Sequence, residues 1–208
     1  MEQPEIQLDV VVSADFEENA YITHLEGRKD CLVVDPGFDP EEILAQLDRK
    51  GLTPAAILNT HGHADHIAGN AALKDRFSDC PLVIGADEAP KLTDSMLNLS
   101  APFGVPIASP PADATVADGE TYSAAGFDLE VRRIPGHSSG HVVYLWAAHD
   151  PPMVFVGDVI FAGSIGRTDF PDGSFPQLSE GIHKKLFTLP DATVLLPGHG
   201  PKTTVGHE

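Results

Sequence analysis

Short apolar runs separated by turn residues dominate the pattern of hydrophobic and polar positions along the chain. Runs of roughly four to eight apolar residues bounded by Gly, Pro, Asn or Asp are typical of buried strands. In the first half they predict strands over residues 6–12, 20–25, 31–35, 55–58 and 81–85. In the second half they predict strands over residues 121–122, 127–134, 142–146, 153–156 and 193–196.

Helical patterns fall between these strands. Asp39-Pro40-Glu41-Glu42 combines a capping residue, a proline suited to a first turn and acidic residues that favour the N-terminal dipole. It predicts a helix that ends at Gly51. We expect three further helical segments, over residues 67–73, 88–98 and 177–186.

The segment 86–113 is rich in Ala, Pro, Leu and Ser, and its second part is a loop with several prolines. It is the part of the chain most similar to a linker, and it divides the sequence near its middle. Because strands and helices recur on both sides, we expect two sheets packed face to face with helices outside. We expect residues 1–208 to form one domain of this kind.

The composition is that of a soluble globular protein, with 42% hydrophobic and 21% charged residues in 208. A formal net charge of −18 argues against nucleic acid or an anionic membrane surface as a partner. The N-terminal residues 1–5 lack the basic and apolar regions of a secretory signal. Cys31 and Cys80 form no CxxC pair, so we expect two buried, reduced thiols in a cytoplasmic protein.

The densest chemistry lies at residues 60–66, which read Thr-His-Gly-His-Ala-Asp-His. Three imidazoles and a carboxylate within six positions have no packing explanation, whereas neutral imidazole and carboxylate are common metal ligands. The segment follows the apolar strand predicted over residues 55–58, and strand ends are favoured places for a site. The sequence therefore predicts a metal site at this edge of a sheet.

Three later polar segments also follow apolar strands directly. They are residues 135–141, 157–158 and 197–200, and they contribute His137, Asp158 and His199. Each lies beside a glycine, which allows the backbone to approach a crowded site. Four strand ends therefore direct residues of metal-ligand type towards what we expect to be a common edge.

These motifs resemble those of the metallo-β-lactamase superfamily. Its signature HxHxDH is met by His61, His63, Asp65 and His66. Its later ligand positions are matched by His137, Asp158 and His199. The resemblance covers nearly the whole chain, with the motifs in the family's order. It implies an α+β fold of four layers, the αββα sandwich, with the site at one edge.

The resemblance further implies a binuclear site. One divalent metal ion would be held by His61, His63 and His137. The second would be held by Asp65, His66 and His199. Asp158 would bridge the two, together with a water or hydroxide, and Asp65 would also orient this nucleophile. Zinc is the expected metal, and the same nitrogen and oxygen ligands accept iron and manganese.

Two features resemble the glyoxalase II branch of the superfamily: the aspartate at position 158 and the loop over residues 157–170. The loop is also similar to that of short bacterial hydroxyacylglutathione hydrolase-like proteins. This implies hydrolysis of a small-molecule thioester. Arg167 lies where glyoxalase II enzymes bind a glutathione carboxylate, and a structural ion pair with Asp169 is the equal alternative. The sequence ends at Glu208, without the C-terminal helical domain that supplies further glutathione contacts in that family. The thiol carrier therefore stays open.

Three other functions compete with this hypothesis. A persulfide dioxygenase of the same fold would use one iron, held by His61, His137 and Asp158. A lactonase or β-lactamase would use the same two metals on another substrate. A non-catalytic binding module is the third alternative, and the intact set of ligand positions argues against it.

The remaining candidate residues have structural interpretations. We expect structural roles for His24, His149, His183 and His207. We expect the same for His141, with contact to a metal ligand as the alternative. Ser138 and Ser139 need no nucleophilic role, because a metal site explains His137 without one. Phe161, Phe170 and Phe175 are expected to pack their loop rather than line a pocket. We expect Tyr21 and Trp146 in the core.

Overall fold

Two six-stranded sheets form the framework of the fold in a computed structural model that describes residues 5–208, apart from the side chain of Phe103. The first sheet follows chain order, with β1 to β3 antiparallel and β3 to β6 parallel. Its strands are β1 (Ile6–Val12), β2 (Asn19–Leu25), β3 (Asp30–Val34), β4 (Thr53–Asn59), β5 (Leu82–Gly85) and β6 (Ala114–Val116).

The second sheet comes from the other half of the chain. Its strands are β7 (Thr121–Ala124), β8 (Phe127–Arg133), β9 (Val142–Trp146), β10 (Met153–Gly157), β13 (Val194–Pro197) and β14 (Thr203–Thr204). They lie in the order β14-β13-β10-β9-β8-β7, and only the β10–β13 pair is parallel. A small ribbon of β11 (Ile160–Phe161) and β12 (Ser164–Ile165) follows β10.

Helices lie beside both sheets. They are α1 (Pro40–Lys50), α2 (Ala64–Ile67), α3 (Asn70–Arg76), α4 (Ala89–Thr93) and α5 (Phe175–Gly181), which continues as a π-helical turn over Ile182–Leu186. The predicted start and end of α1 are confirmed: proline occupies its first turn and Gly51 ends it at a left-handed φ of 62°. Asp39 occupies the capping position, but its carboxylate accepts a hydrogen bond from the N–H of Ala14.

The packing of the strands explains the layers. On β3, Leu32 and Val34 face the second sheet, whereas Cys31 and Val33 face the helices, as the two-residue period of a strand requires. A third apolar cluster packs α5 and the turn after it against the outer face of the second sheet. The order of layers is therefore helix, sheet, sheet, helix, and the predicted α+β, four-layer αββα fold is confirmed.

Aromatic side chains join the two sheets in the interior. Tyr21 and Trp146 are buried in the core, as predicted. The Tyr21 hydroxyl donates to the carbonyl of Pro197 at 2.7 Å, and the Tyr144 hydroxyl donates to that of Asn59 at 3.0 Å. Burial raises the pKa of Tyr144 well above its ordinary value, so this hydroxyl stays protonated as a donor.

The prediction of a linker over residues 86–113 was wrong. The chain after it returns to the first sheet, where β6 pairs with β5. Within the segment the buried amide of Asn98 donates to the carbonyl of Ile107 at 2.9 Å and accepts from the hydroxyl of Ser100 at 2.6 Å. Its polar groups are thus satisfied internally, which lets a proline-rich segment pack like a folded element.

Other predictions differ in detail. The helix predicted to start over residues 67–73 is divided into two short helices, α2 and α3. The short helical structure predicted over 88–98 is α4, which ends at Thr93. Cys31 and Cys80 are buried and free of disulfides to any described residue, as expected. In the part of the chain that the structure describes, no helix is long and apolar enough to cross a membrane. The acidic N-terminal residues 1–4 lie outside the described residues.

Replacing Leu32 with alanine should test the sandwich interior. Leu32 is fully buried between the sheets, so Leu32→Ala should lower the free energy of unfolding by about 2–5 kcal/mol in urea titrations. Leu97→Ala is the matched control, because Leu97 is exposed and should change stability by less than about 0.5 kcal/mol. Equal effects of the two substitutions would contradict the assigned interior.

Candidate metal centre

Seven candidate ligands meet at one edge of the sandwich, where strands of both sheets end. The loop after β4 and the short helix α2 carry His61, His63, Asp65 and His66. The loop between β8 and β9 carries His137, and the ends of β10 and β13 are followed by Asp158 and His199. The structure therefore brings together all seven residues that the sequence singled out.

The first donor group consists of His61, His63 and His137, whose ligand atoms lie within 4.8 Å of one another. Nδ1 of His63 lies 3.1 Å from Nε2 of His61 and 2.9 Å from Nε2 of His137. Burial, with the neighbouring imidazoles, lowers the pKa of His63 to about 3, and it also lowers the pKa values of His61 and His137. All three are therefore neutral at pH 7, which is the form that binds metal.

The second donor group consists of Asp65, His66 and His199. Oδ2 of Asp65 lies 3.4 Å from Nε2 of His199 and 3.8 Å from that of His66. Burial alone would lower the pKa of His66, but Asp158 and Asp65 raise it well above its ordinary value. Without a metal, His66 is therefore a cation, and a metal that replaces its proton would neutralise the same carboxylates.

Asp158 lies between the two groups. Its Oδ1 is 3.3 Å from Nε2 of His66, and its Oδ2 is 3.5 Å from Nε2 of His137 and 3.6 Å from that of His199. Although burial would raise the pKa of Asp158, the surrounding histidines, His66 first, hold it far below the ordinary value. This permanently ionised carboxylate faces donor atoms of both groups.

The residues present fit a pair of divalent cations. Nε2 of His63, Nε2 of His66 and Oδ1 of Asp158 are buried and have no partner in hydrogen-bond geometry among the described residues. A buried polar atom without a partner costs about 1–3 kcal/mol, so such atoms seldom converge by chance. All three belong to candidate ligands, and Nε2 of His66 faces Oδ1 of Asp158 at 3.3 Å. Nitrogen and oxygen donors of this kind suit zinc, iron and manganese.

Backbone carbonyls fix the outward nitrogens of two of the candidate ligand imidazoles. Nδ1 of His137 donates to the carbonyl of Arg167 at 2.9 Å, and Nδ1 of His199 donates to that of Phe16 at 3.0 Å. Each bond selects the tautomer that leaves Nε2 free for the cluster. Gly198 makes room for this arrangement, because a Cβ there would lie 2.3 Å from Oδ1 of Asp158.

His141 contacts two of the candidate ligands, Asp158 and His61. It is fully buried, and its Nε2 accepts a hydrogen bond from the backbone N–H of Asp158 at 3.1 Å. Its ring stacks on that of His61, with centroids 4.6 Å apart. Contact to a ligand was the alternative to a purely structural role, and the geometry supports it. Three other histidines that were expected to be structural bond backbone carbonyls away from the cluster. They are His24, His149 and His183.

Asp35 is a supporting residue that the sequence analysis missed. Its carboxylate accepts hydrogen bonds from the backbone N–H and the hydroxyl of Thr60, each at 2.7 Å, and lies 3.1 Å from Nδ1 of His66. It is held at a left-handed φ of 48°. The signal was present in the sequence, because Asp35 follows an apolar strand directly, as Asp158 does, but it was assigned to the strand itself.

Glu88 is the second residue that was missed, and it joins two of the ligand loops. It is fully buried at the start of α4. One carboxylate oxygen accepts from the backbone N–H of Gly62 at 2.8 Å, between the first two histidines of the signature. The other accepts from the N–H of Gly140 and the hydroxyl of Ser138, both at 2.6 Å. One buried carboxylate thus positions the loops of His63 and His137.

Lys91 extends this network to a third loop. Its buried ammonium donates to Glu88 at 3.2 Å, to Asp172 at 2.6 Å and to the hydroxyl of Ser138. Asp172 also accepts from the N–H of Ser139 at 3.0 Å. Partial burial would raise the pKa of Asp172, but Lys91 brings it to about 2, so this carboxylate is ionised at neutral pH. The loop after β12 is therefore fixed to the same network.

A cavity of about 710 Å³ opens over the cluster. His63, Asp65, His137, Asp158 and His199 form its floor. Phe161 and Phe170 line it, so the prediction that they only pack their loop was wrong. Phe175 lies elsewhere and is 58% exposed. Large apolar side chains beside a polar floor are typical of ligand sites.

Arg167 also lines the cavity. Its guanidinium forms a two-bond ion pair with Asp169, at 2.7 and 2.8 Å, and lies 4.4 Å from the ring centre of Phe170. The ion pair that was one of the two expectations for Arg167 is therefore present. Contact with a substrate anion stays a prediction.

The comparison with protein families decides the identity of the fold. The family model of the metallo-beta-lactamase superfamily matches residues 15–199. The chain belongs to this superfamily of metallo-hydrolases. The sequence resemblance in the HxHxDH signature and the later ligand positions is thereby confirmed at the level of the family.

Among curated members of the metallo-beta-lactamase superfamily, the chain is 40% identical to the probable metallo-hydrolase YqgX of Bacillus subtilis. That match spans 91% of this chain and 88% of YqgX. It is 32% identical to the hydroxyacylglutathione hydrolase GloC of Haemophilus influenzae, over 98% of this chain and 95% of GloC.

Solved structures of the superfamily share the fold. The BLEG-1 B3 metallo-beta-lactamase superimposes with a TM-score of 0.92 at 37% identity, over 97% of this chain and 96% of that one. TTHA1623 in a di-iron-bound form superimposes with a TM-score of 0.81 at 32% identity, over 96% of each chain. The sandwich of the superfamily thus occurs with a two-metal site in a related protein.

Removing Asp158 should show whether the two donor groups depend on it. We expect the purified protein to take up one metal ion per donor group, and Asp158→Ala to lose most of both, because this carboxylate faces both groups. Metal content by mass spectrometry after dialysis measures this. His183→Ala is the control, since His183 is exposed and far from the cluster. Full metal content in Asp158→Ala would contradict the assigned position.

Replacing Glu88 should weaken metal binding without removing any ligand. Glu88→Gln removes one of the two carboxylates around the buried ammonium of Lys91 and leaves Asp172, so we expect a loss of roughly 1–3 kcal/mol in stability. We also expect weaker retention of metal by the group that includes His63 and His137, measured by competition with a chelator. Glu42→Gln, in an exposed pair with Arg49, is the matched control. Unchanged metal affinity in Glu88→Gln would exclude a positioning role.

Proposed function

We propose that the chain is a binuclear metal-dependent hydrolase that cleaves small-molecule thioesters, of the hydroxyacylglutathione hydrolase type. The observation that carries the proposal is the carboxylate of Asp158, which lies between two separate donor groups on the floor of a cavity. Similarity to GloC over nearly the full length of both chains supports the thioester as the substrate class. The strongly negative net charge supports a small molecule over nucleic acid as the partner.

The seven side chains would hold two divalent cations. Bound there, the cations would lower the pKa of a water held between them and supply positive charge opposite the acyl oxygen of the substrate. Zinc is the metal we propose, and the di-iron form of TTHA1623 supports iron as the alternative. The hydrogen bonds to His137 and His199 keep the ligand nitrogens aimed at the cluster throughout the reaction.

Asp65 is the residue that we propose as catalytic beyond its role as a ligand. Its carboxylate lines the cavity and lies 3.4 Å from Nε2 of His199. From there it accepts a hydrogen bond from the attacking water and directs the oxygen lone pair at the acyl carbon. A C–O bond forms, the C–S bond breaks, and the products are a carboxylate, a thiolate and the two protons of the water, which pass to solvent.

Hydrolysis of β-lactams is the second candidate. The superposition with BLEG-1, described as a B3 metallo-beta-lactamase, supports it at 37% identity. The same floor residues would serve, because amide and thioester hydrolysis both need an activated water and a stabilised oxyanion. A persulfide dioxygenase would use only His61, His137 and Asp158, and would leave the second donor group without a role.

A hydrolysis assay coupled to metal analysis tests the proposal. The protein loaded with zinc, and separately with iron, should cleave S-lactoylglutathione or another thioester at a rate that follows its metal content. A chromogenic cephalosporin in the same assay tests the second candidate. Protein with both groups loaded that cleaves no thioester would overturn the proposal.

Replacing Asp65 should separate catalysis from binding. Asp65→Asn keeps the size of the side chain but removes its charge, so we expect kcat for a thioester to fall by about 10²-fold or more at equal metal content. Asp75→Asn is the matched control, because Asp75 is exposed on α3. A variant with full metal content and an unchanged kcat would exclude the orienting role.

A further inference from the structure

The wall of the cavity above the metal centre is apolar. Its side chains come from four separate segments of the chain, so the apolar character belongs to the assembled cavity and not to one motif. The apolar lining residues away from the floor are Phe16, Phe38, Leu99, Val105, Ile107, Phe161, Ile165 and Phe170. Phe16 and Val105 are among the most exposed large apolar side chains of the described residues, at 60% and 59%. Exposed apolar side chains gathered around a cavity mark a binding surface.

Backbone strain is concentrated in this wall. Phe16 and Leu99 both adopt a left-handed φ of 69°, which bulky residues rarely do. Phe16 nevertheless projects its ring over the cavity and stacks on Phe38, with centroids 5.3 Å apart. Strain of this kind clusters at ligand sites, where the exposed side chain is needed in one position. Burial of the side chain in an apolar core does not explain the left-handed φ of either residue.

Several polar groups of the wall are already used in bonds within the protein. Asn98 and Ser100 bond each other, and Asn98 also bonds the carbonyl of Ile107. Among the described residues, Arg167 is the only Lys or Arg that lines the cavity, and Asp169 pairs with its guanidinium. Asp15 adds negative charge at the rim. A substrate with several carboxylates, such as a glutathione thioester, would meet one neutralised cation and a negative rim.

We infer that the preferred substrates are thioesters that carry an uncharged apolar group of several carbons, which packs against Phe16, Phe38 and Val105. The inference rests on the proposed thioester hydrolysis and adds its substrate class. The apolar group belongs either to the acyl part or to the thiol part of the substrate. In both cases an uncharged apolar group contacts the same wall.

Two substrate series on the metal-loaded protein test the inference. In the first, acyl chains from acetyl to octanoyl are carried on N-acetylcysteamine, which is uncharged; in the second, acetyl is carried on alkyl thiols of rising length. We expect kcat/KM to rise by about threefold per methylene in one of the series until the wall is covered. S-lactoylglutathione should be a poorer substrate than the best member of that series.

The outcomes separate the two proposals. Cleavage of no thioester by loaded protein would overturn the proposed function. Cleavage of acetyl thioesters without dependence on chain length in either series, or a preference for S-lactoylglutathione, would leave the hydrolase in place and overturn the apolar substrate class. The series that shows the dependence identifies the part of the substrate that contacts the wall.

Variants of the wall give a second readout. Phe16→Ala and Val105→Ser should each lower the ratio of kcat/KM between octanoyl and acetyl substrates by about fivefold or more, because each removes apolar contact. Phe16→Gly should lower the ratio equally while relieving the left-handed strain, so its stability should not fall. Phe175→Ala is the control, since Phe175 is as exposed as Phe16 but lies outside this cavity.

A binding measurement avoids any dependence on turnover. The unreactive S-octyl thioether of N-acetylcysteamine should bind the metal-free protein with a negative heat-capacity change in calorimetry, as burial of apolar surface requires. The S-methyl thioether should bind at least tenfold more weakly. Equal affinities for the two thioethers, or an octyl affinity unchanged in Phe16→Ala, would overturn the inference.

Discussion

Two hydrogen bonds across the interior hold together the strand ends on which the site depends. The N–H of Val142 donates to the carbonyl of Thr60 at 2.9 Å, and the hydroxyl of Tyr144 donates to that of Asn59 at 3.0 Å. Both join the second sheet to the residues just before the histidine cluster. Apolar side chains of the two sheets interdigitate in the interior, and the polar donors lie at the shared edge, where loops from both sheets meet. The convergence of the donors follows from this attachment.

Much of the site could be predicted because its residues follow strands. His61, Asp158 and His199 lie one or two residues after the ends of β4, β10 and β13, and the position of a residue after a strand largely decides which edge it reaches. The same reasoning places Asp35 at this edge, because Asp35 follows β3 directly. The four-layer fold was predictable from the two-residue period of strands such as β3, where alternate side chains enter different apolar clusters.

The rest was hidden because it depends on contacts between distant segments. Glu88 binds backbone N–H groups of Gly62 and Gly140, and every residue type except proline offers such a donor, so no pattern of residue types reports the contact. The pairing of Lys91 with Asp172 spans 81 positions. The proline-rich segment 86–113 was mistaken for a linker for the same reason, since its internal amide and hydroxyl bonds are not visible in its composition.

The turn at Phe16 and Glu17 joins two parts of the enzyme that are usually considered separately. The carbonyl of Phe16 fixes the imidazole of His199, while its ring forms part of the apolar wall. A candidate metal ligand and the proposed substrate surface therefore share one strained residue. Insertions or deletions in this turn would change both at once. A substitution that changes the apolar wall here leaves His199 in place only if it keeps the backbone of the turn.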